Sequence, residues 1–250
     1  MQRVLSSILV FSAFVGAVSL SAQSADEIVA RHVAAVGGQN VIGLVKSISM
    51  ETTTNVGDND MPGTVVILDG VAFRSESDFN GAKIVQCYTA KGGWFVNPAA
   101  GVTDPTPMPD DQFQSGRNQI YVGGDLHDYA ANGNKLELLG KDANTYTVRL
   151  TTKYHAESTY VFDAATYLVK SITRKGKFQD QDVDITTSFS DYRKTGVGLM
   201  LPYAMSVDFG GQFSVSITVN KVEMNKTVDP TICDLPKNSQ QPAEGTASPN

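Results

Sequence analysis

Residues 212–224 read QFSVSITVNKVEM, and the period of that stretch is two. Phe213, Val215, Ile217 and Val219 alternate with Ser214, Ser216, Thr218 and Asn220. Successive side chains of a strand point to opposite faces, so this strand is apolar on one side and wet on the other. The same alternation recurs upstream. Val183, Ile185 and Phe189 oppose Asp182, Asp184, Thr186 and Ser188, and Val148 and Leu150 oppose Arg149 and Thr151. One-sided strands of this kind belong to a large antiparallel sheet covered on a single face.

Outward from that stretch, extended segments occupy 45–56, 64–69, 71–79, 82–90 and 94–98 in the first half of the chain. The second half adds 135–141, 145–153, 157–163, 167–178, 183–193 and 201–209. They follow one another at about ten-residue intervals, as in a meander, with Gly, Asn and Asp between them. Asn80-Gly81 is the clearest hairpin turn. The expected sheet has about eleven strands.

Two regions depart from period two. In ADEIVARHVAAV, Ile28, Val29, Val33 and Val36 recur at helical spacing. Ser24 and Glu27 form a capping box ahead of them, and Gly37-Gly38 supplies a stop. His32 lies within this helix and reads as a boundary residue. Residues 99–134 are the second departure. AAGVTDPTPMPDDQ is Pro-rich and cannot pair as a central strand. Phe113, Ile120, Tyr121, Leu126 and Tyr129 then fall at loosely helical intervals, which predicts one or two short helices lying across the apolar face.

The ends read differently. Residues 1–23 carry Arg3, an apolar run from Val4 to Leu20, then the small residues Ser21 and Ala22, the layout of a cleaved secretory signal. The tail 237–250 has no large apolar residue and should be disordered. A single folded domain over 24–236 is expected between them. No other stretch reaches membrane-spanning length, so no transmembrane span should remain after cleavage and the product should be periplasmic or secreted. In such an oxidising compartment Cys87 and Cys233 either pair or stand as two buried small apolar side chains.

Composition removes several classes of function. The 250 residues are 41% apolar and 18% charged, too rich in apolar residues for a disordered chain. A net charge of -6 leaves no basic patch for nucleic acid. Two cysteines and three histidines cannot build a multi-thiolate zinc module. No GxSxG, HExxH, Walker or GxGxxG stretch occurs. His127, within Asp125-Leu126-His127-Asp128, reads as a solvated helix start, and His155 as an exposed turn residue. We therefore expect no catalytic residue, no metal and no cofactor, and a protein that is not an enzyme.

Several ordered segments carry a resemblance. They are ADEIVARHVAAVGG, FRSESDFNGAKIVQCYTAKGGWFVNPAAG, LELLGKDANTYTVRLTTK, STYVFDAATYLVKSITRKG, DYRKTGVGLMLPYAMSVDFGG and VDPTICDLP. In order and spacing the chain resembles the bacterial outer-membrane lipoprotein-sorting proteins of the LolA/LolB-like superfamily, over most of 24–236. The resemblance implies a mainly β fold with a few helices: a curved antiparallel half-barrel closed by a helical lid. It also implies an apolar cavity for acyl chains and a role as a periplasmic carrier of lipids or lipoprotein acyl chains. The alternative is a non-enzymatic envelope module that uses the same fold to interact with or sense a partner protein. Alternation places Val148, Leu150, Ile185, Phe189, Val215 and Ile217 on the apolar face, assigned to the cavity wall, and Trp94, which opens its strand after Gly92-Gly93, is added to it. Phe113, Ile120 and Tyr121 are the candidate lid residues. The expected ligand is a lipid or lipoprotein acyl chain, with envelope proteins as the further class of partner.

Overall fold

Ser24 opens the first helix as its sequence context requires. Its side chain accepts the Glu27 N–H while the Glu27 carboxylate accepts the Ser24 N–H, and helix α1 runs Ala25–Ala35. Gly37 and Gly38 both have positive φ, and the chain turns there into a second helix, α2, Gly38–Leu44. Seven residues are too few to display a helical period, so the sequence pattern gives no sign of α2. In this computed structural model residues 23–179 and 181–235 are described. The expected leader and tail lie outside them, apart from Gln23, whose side-chain amide donates to the Tyr167 hydroxyl at 3.0 Å. No helix among the described residues is long and apolar enough to cross a membrane.

Six strands follow: β1 Ser47–Val56, β2 Asn59–Leu68, β3 Ala72–Phe79, β4 Ala82–Thr89, β5 Gly93–Asn97 and β6 Val102–Pro107. Helix α3, Asp110–Gly116, and short 3-10 turns at Arg117–Ile120 and Gly124–Leu126 occupy the middle of the chain. The second run is β7 Lys135–Lys141, β8 Thr145–Thr151, β9 Glu157–Asp163, β10 Val169–Phe178, β11 Gln181–Lys194, β12 Met200–Phe209 and β13 Ser214–Met224. All thirteen form one open antiparallel sheet, in the order β6-β5-β4-β3-β2-β1-β13-β12-β11-β10-β9-β8-β7. Two meanders are thus joined where β1 meets β13, with Ile48 opposite Met224.

The thirteen strands are the twelve extended segments of the sequence plus β6, which forms within the Pro-rich stretch, against an expected sheet of about eleven. Pro105 and Pro107 are tolerated there because β6 is an edge and pairs only with β5. The other edge, β7, exposes Lys135, Glu137 and Lys141, charges that discourage pairing with a further chain.

Register carries one face across the whole sheet. Met50, Val65, Ser75 and Gln86 are successive partners on one side of β1. Ile217, Met205 and Phe189 continue the same face through β13, β12 and β11. Ile172, Tyr160, Val148 and Leu138 carry it to the far edge. The helices pack on this face. Ile28 and Val29 of α1 join Tyr146, Val148, Leu150, Tyr160 and Phe162 in a closed core. Ile42 of α2 meets Val45, Ile48 and Leu199. Phe113 and Ile120 pack with Tyr88, Met108, Phe73 and Phe95. Gly116 ends α3 against Tyr88, where a Cβ would stand 2.5 Å from the phenol oxygen, so only glycine permits the approach.

Candidate functional site: an apolar interior with one ion pair

The alternation of β10 places Ile172, Arg174, Gly176 and Phe178 on the inward face. Arg174 is therefore a cation aimed at the covered side of the sheet. Its partners come from two elements. Nε donates to Ser158 Oγ at 2.9 Å, and Nη2 donates to Asp125 Oδ2 at 3.0 Å. Asp125 sits in the turn Gly124–Leu126 and also accepts from Asn118 Nδ2 at 2.5 Å and the Tyr160 hydroxyl at 3.2 Å. Its side chain is 9% exposed, against 31% for Arg174. Burial, followed by the Asp125 charge, pushes the Tyr160 phenol far above its ordinary range, so it remains a donor. At the other end of this segment Val122 N–H donates to Asp69 Oδ1 at 3.0 Å, and Gly70 N–H to Ile120 O at 2.9 Å. Residues 117–126 thus reach from the β2–β3 turn to β9 and β10.

Open space lies on both sides of Arg174. One cavity of about 240 Å³ is walled by His32, Val36, Val122, Ile172, Phe189 and Leu199, among others. A larger groove of about 620 Å³ runs between Gln86 of β4, Pro109 and the α3 residues Asp111, Gln112 and Ser115, Lys175 and Lys177 of β10, and Ile185, Thr187 and Phe209 of β11 and β12. Its wall mixes apolar and charged side chains. Five strand spacings separate β4 from β12 in the sheet. At about 4.8 Å each they would lie some 24 Å apart if the sheet were flat. That both border one groove requires the sheet to curl around α3. Phe209 continues the groove outward to Phe178 and Phe213, with ring centroids 5.4–5.9 Å apart and Phe213 exposed. A third space of about 500 Å³, lined by Asp110, Asp125, His155, Glu157 and Lys175, is polar.

His32 borders the smaller cavity. Its Nδ1 lies 2.9 Å from the Tyr167 carbonyl oxygen, which requires a proton on that nitrogen, and its ring meets Phe162 edge-on at 5.4 Å. Burial lowers its pKa below 6.5, partly offset by the Tyr167 carbonyl. On acidification the imidazole therefore gains its second proton in the unfolded chain before the folded one. The His32 contribution to stability is complete above about pH 6.5 and is lost as pH falls from there toward the folded-state value, at no more than about 1.4 kcal/mol per pH unit. Urea titrations between pH 5 and 8 should show wild type losing more stability below about pH 6.5 than His32→Gln. Parallel curves would remove His32 from the buried set.

The ten residues singled out in the sequence separate into five groups. Ile185 and Phe189 line the groove and the smaller cavity respectively. Val215 and Ile217 lie half-buried on the same inward face. Val148 and Leu150 also face inward, but they have no exposed surface and belong to the core under α1. Phe113 stacks on Tyr88 at 6.4 Å, Ile120 is buried beside it, and Tyr121 is 41% exposed next to Gly70. Trp94 stands apart. Its strand register puts it beside Cys87 and Ala72 on the opposite face, where its indole donates to Cys233 O at 2.6 Å. A strand of five residues gives too little alternation to assign a face from sequence. Conversely, Arg174 and Asp125 were not among the ten. The alternation of 169–178 would have found Arg174, since it shares a parity with Ile172 and Phe178.

Among the described residues no three His, Cys, Asp or Glu side chains cluster as a metal site would require. His155 is exposed in its turn, and His127 Nδ1 lies 3.3 Å from Asp128.

No family model and no curated protein sequence matches the chain. Solved structures do. A LolA superfamily protein from Nitrosomonas europaea superposes with a TM-score of 0.55 at 12% identity, covering 84% of this chain and 97% of that one. An outer membrane lipoprotein-sorting protein domain from Vibrio parahaemolyticus gives a TM-score of 0.54 at 10% identity, covering 82% and 94%. The fold is LolA-like. At such identities the agreement is one of backbone path alone. The LolA-like fold leaves the side chains that wall the interior to be read from this chain.

Proposed function

We propose that this protein is an exported carrier or binding protein for a lipid or a lipoprotein acyl chain. The chain would lie in the groove between the sheet and residues 108–134, which act as the lid, within a single domain over 24–236. The observation that carries this reading is the groove of about 620 Å³ with Ile185 and Phe209 in its wall, on a LolA-like sheet. Ligand pockets commonly enclose about 300–1,000 Å³. The chemistry needed is burial: each CH₂ removed from water contributes about 0.8 kcal/mol, so an acyl chain binds without a covalent step. Phe113, Ile120 and Tyr121 are lid residues in this reading, and Ile185, Phe189, Val215 and Ile217 the wall. No catalytic role is assigned to any residue.

A fluorescent fatty-acid probe titrated into the purified protein tests this. Ile185→Glu puts a carboxylate into the groove, whereas Ser188→Glu puts one on the exposed face of the same strand. The first should weaken probe binding by about tenfold or more, and the second should leave it within about twofold. Equal affinities would refute the wall assignment. A well-folded wild type that binds no probe would favour the interaction module instead.

A further inference from the structure

Residues 225–235 leave β13 at the centre of the sheet and end on the outer face of β3–β5. There Ile232 and Cys233 pack on Ala72, Val85, Cys87 and Trp94. Polar anchors hold this segment down. Arg74 Nη1 donates to Ile232 O at 2.9 Å, Trp94 Nε1 to Cys233 O, and Cys233 Sγ to Phe73 O at 3.1 Å. Cys87 lies on β4 between Arg74 and Trp94, has no exposed surface, and its sulfur is 3.8 Å from Ile232 O. Cys87 and Cys233 belong to the same packed cluster. Both are free thiols. Two thiols far apart in sequence are therefore neighbours in one closed apolar patch, and one of them belongs to the segment that closes it.

We propose that Cys87 and Cys233 are a redox couple whose intramolecular disulfide fastens the C-terminal segment to the outer face of the sheet. The step is thiol–disulfide exchange with a disulfide-bearing oxidant. The Cys87 thiolate attacks one sulfur of the oxidant, forming a mixed disulfide and expelling one thiolate. The Cys233 thiolate then attacks the Cys87 sulfur, forming the internal bond and expelling the second thiolate. The two protons pass to the expelled thiolates; the protein gives up two electrons and the oxidant gains them. Cys87 is the attacking thiol. The neighbouring Cys233 thiol and the Arg74 guanidinium 3.7 Å away hold it below the ordinary thiol range, against the effect of burial, while the Cys87 sulfur beside it raises Cys233. What covers Cys87 on this face is the segment itself. Lifting the segment admits the oxidant, and its return brings Cys233 to the mixed disulfide. The reduced protein can open again and uncover Trp94, Val85 and Ala72; the oxidised protein cannot.

The full chain, purified reduced and then equilibrated in a buffer of reduced and oxidised glutathione, tests this. Alkylation after denaturation should find both thiols lost, and the intact mass should fall by that of two hydrogens. A non-reducing peptide map should join Cys87 to Cys233. Proteolytic clipping within 226–235 should be about tenfold or more slower in the oxidised form, because cleavage follows the open population. Cys233→Ala, which retains the fold's other anchors, should lose that difference between redox states. Two thiols that stay free, or that each carry a separate glutathione, would overturn the couple. A crosslink that leaves clipping unchanged would overturn the fastening.

Discussion

Phe162→Ala should destabilise the protein by about 3–5 kcal/mol, the range for truncating a fully enclosed aromatic side chain. Phe162 has no exposed surface. Ile28 and Val29 of α1 share its cluster, His32 meets its ring edge-on at 5.4 Å, and Tyr160 stacks at 6.1 Å. None of these can move in to fill the space. β9 is held on both sides, by β8 and β10, and α1 is fixed by its capping box and by the Tyr129 hydroxyl donating to Asp26. The measurement is a pair of denaturant titrations, in which the midpoint should fall while the slope stays constant. Phe213→Ala is the comparison. Its ring is 38% exposed, so less than about 1 kcal/mol should be lost. If the two variants behave alike, α1 does not close a core over β8 and β9.

The same core shows what the sequence could disclose. Tyr146, Val148 and Leu150, and Ser158, Tyr160 and Phe162, alternate with half-exposed neighbours along β8 and β9. Both faces of the strand are therefore written in its residues, and the sheet was legible wherever a strand ran long enough to repeat the pattern. The capping box fixed the start of α1 for a similar local reason. Legibility failed where tertiary contact overrules local pattern. Edge pairing rescues β6 despite two prolines, and α2 is held by Ile42 against Val45, Ile48 and Leu199 rather than by its own periodicity.

The site was legible only in part. Ile185, Phe189, Val215 and Ile217 were placed on the inward face by parity alone, and the register agrees. Whether an inward residue borders a cavity or a dry core depends on what lies over it. Val148 lies under α1, whereas Ile185 lies beside the groove next to α3, and no strand pattern distinguishes them. Trp94 went to the other face because residues 232–233, far away in sequence, cover it there. The second cover explains why Val85, Cys87, Trp94 and Val96 make the outer face of β4 and β5 apolar as well.

The largest effect expected within the site itself concerns Arg174 and Asp125. Asp125→Ala removes the carboxylate and leaves the guanidinium, still bonded to Ser158, without its counter-charge beside an apolar cavity. Breaking a mostly buried pair from one side is costly, and the 31% exposure of Arg174 lets water offset part of it. We expect a loss of about 2–3 kcal/mol. Replacing both partners at once, Asp125→Leu with Arg174→Met, removes the desolvated charges together and should recover most of that loss. A double-mutant cycle completed with Asp125→Leu alone and Arg174→Met alone should therefore give a coupling of about 1–3 kcal/mol. The pair also stands between the 240 Å³ cavity and the 620 Å³ groove, since Arg174 lines both. With it replaced by apolar side chains, the wall shared by the two spaces loses its charges, and the fatty-acid probe should bind the double variant at least as tightly as wild type. Tighter or equal binding with restored stability identifies the ion pair as a clasp between residues 117–126 and the sheet. If probe affinity instead collapses in a double variant that folds as well as wild type, Arg174 is holding the ligand's polar end, and the clasp reading is wrong.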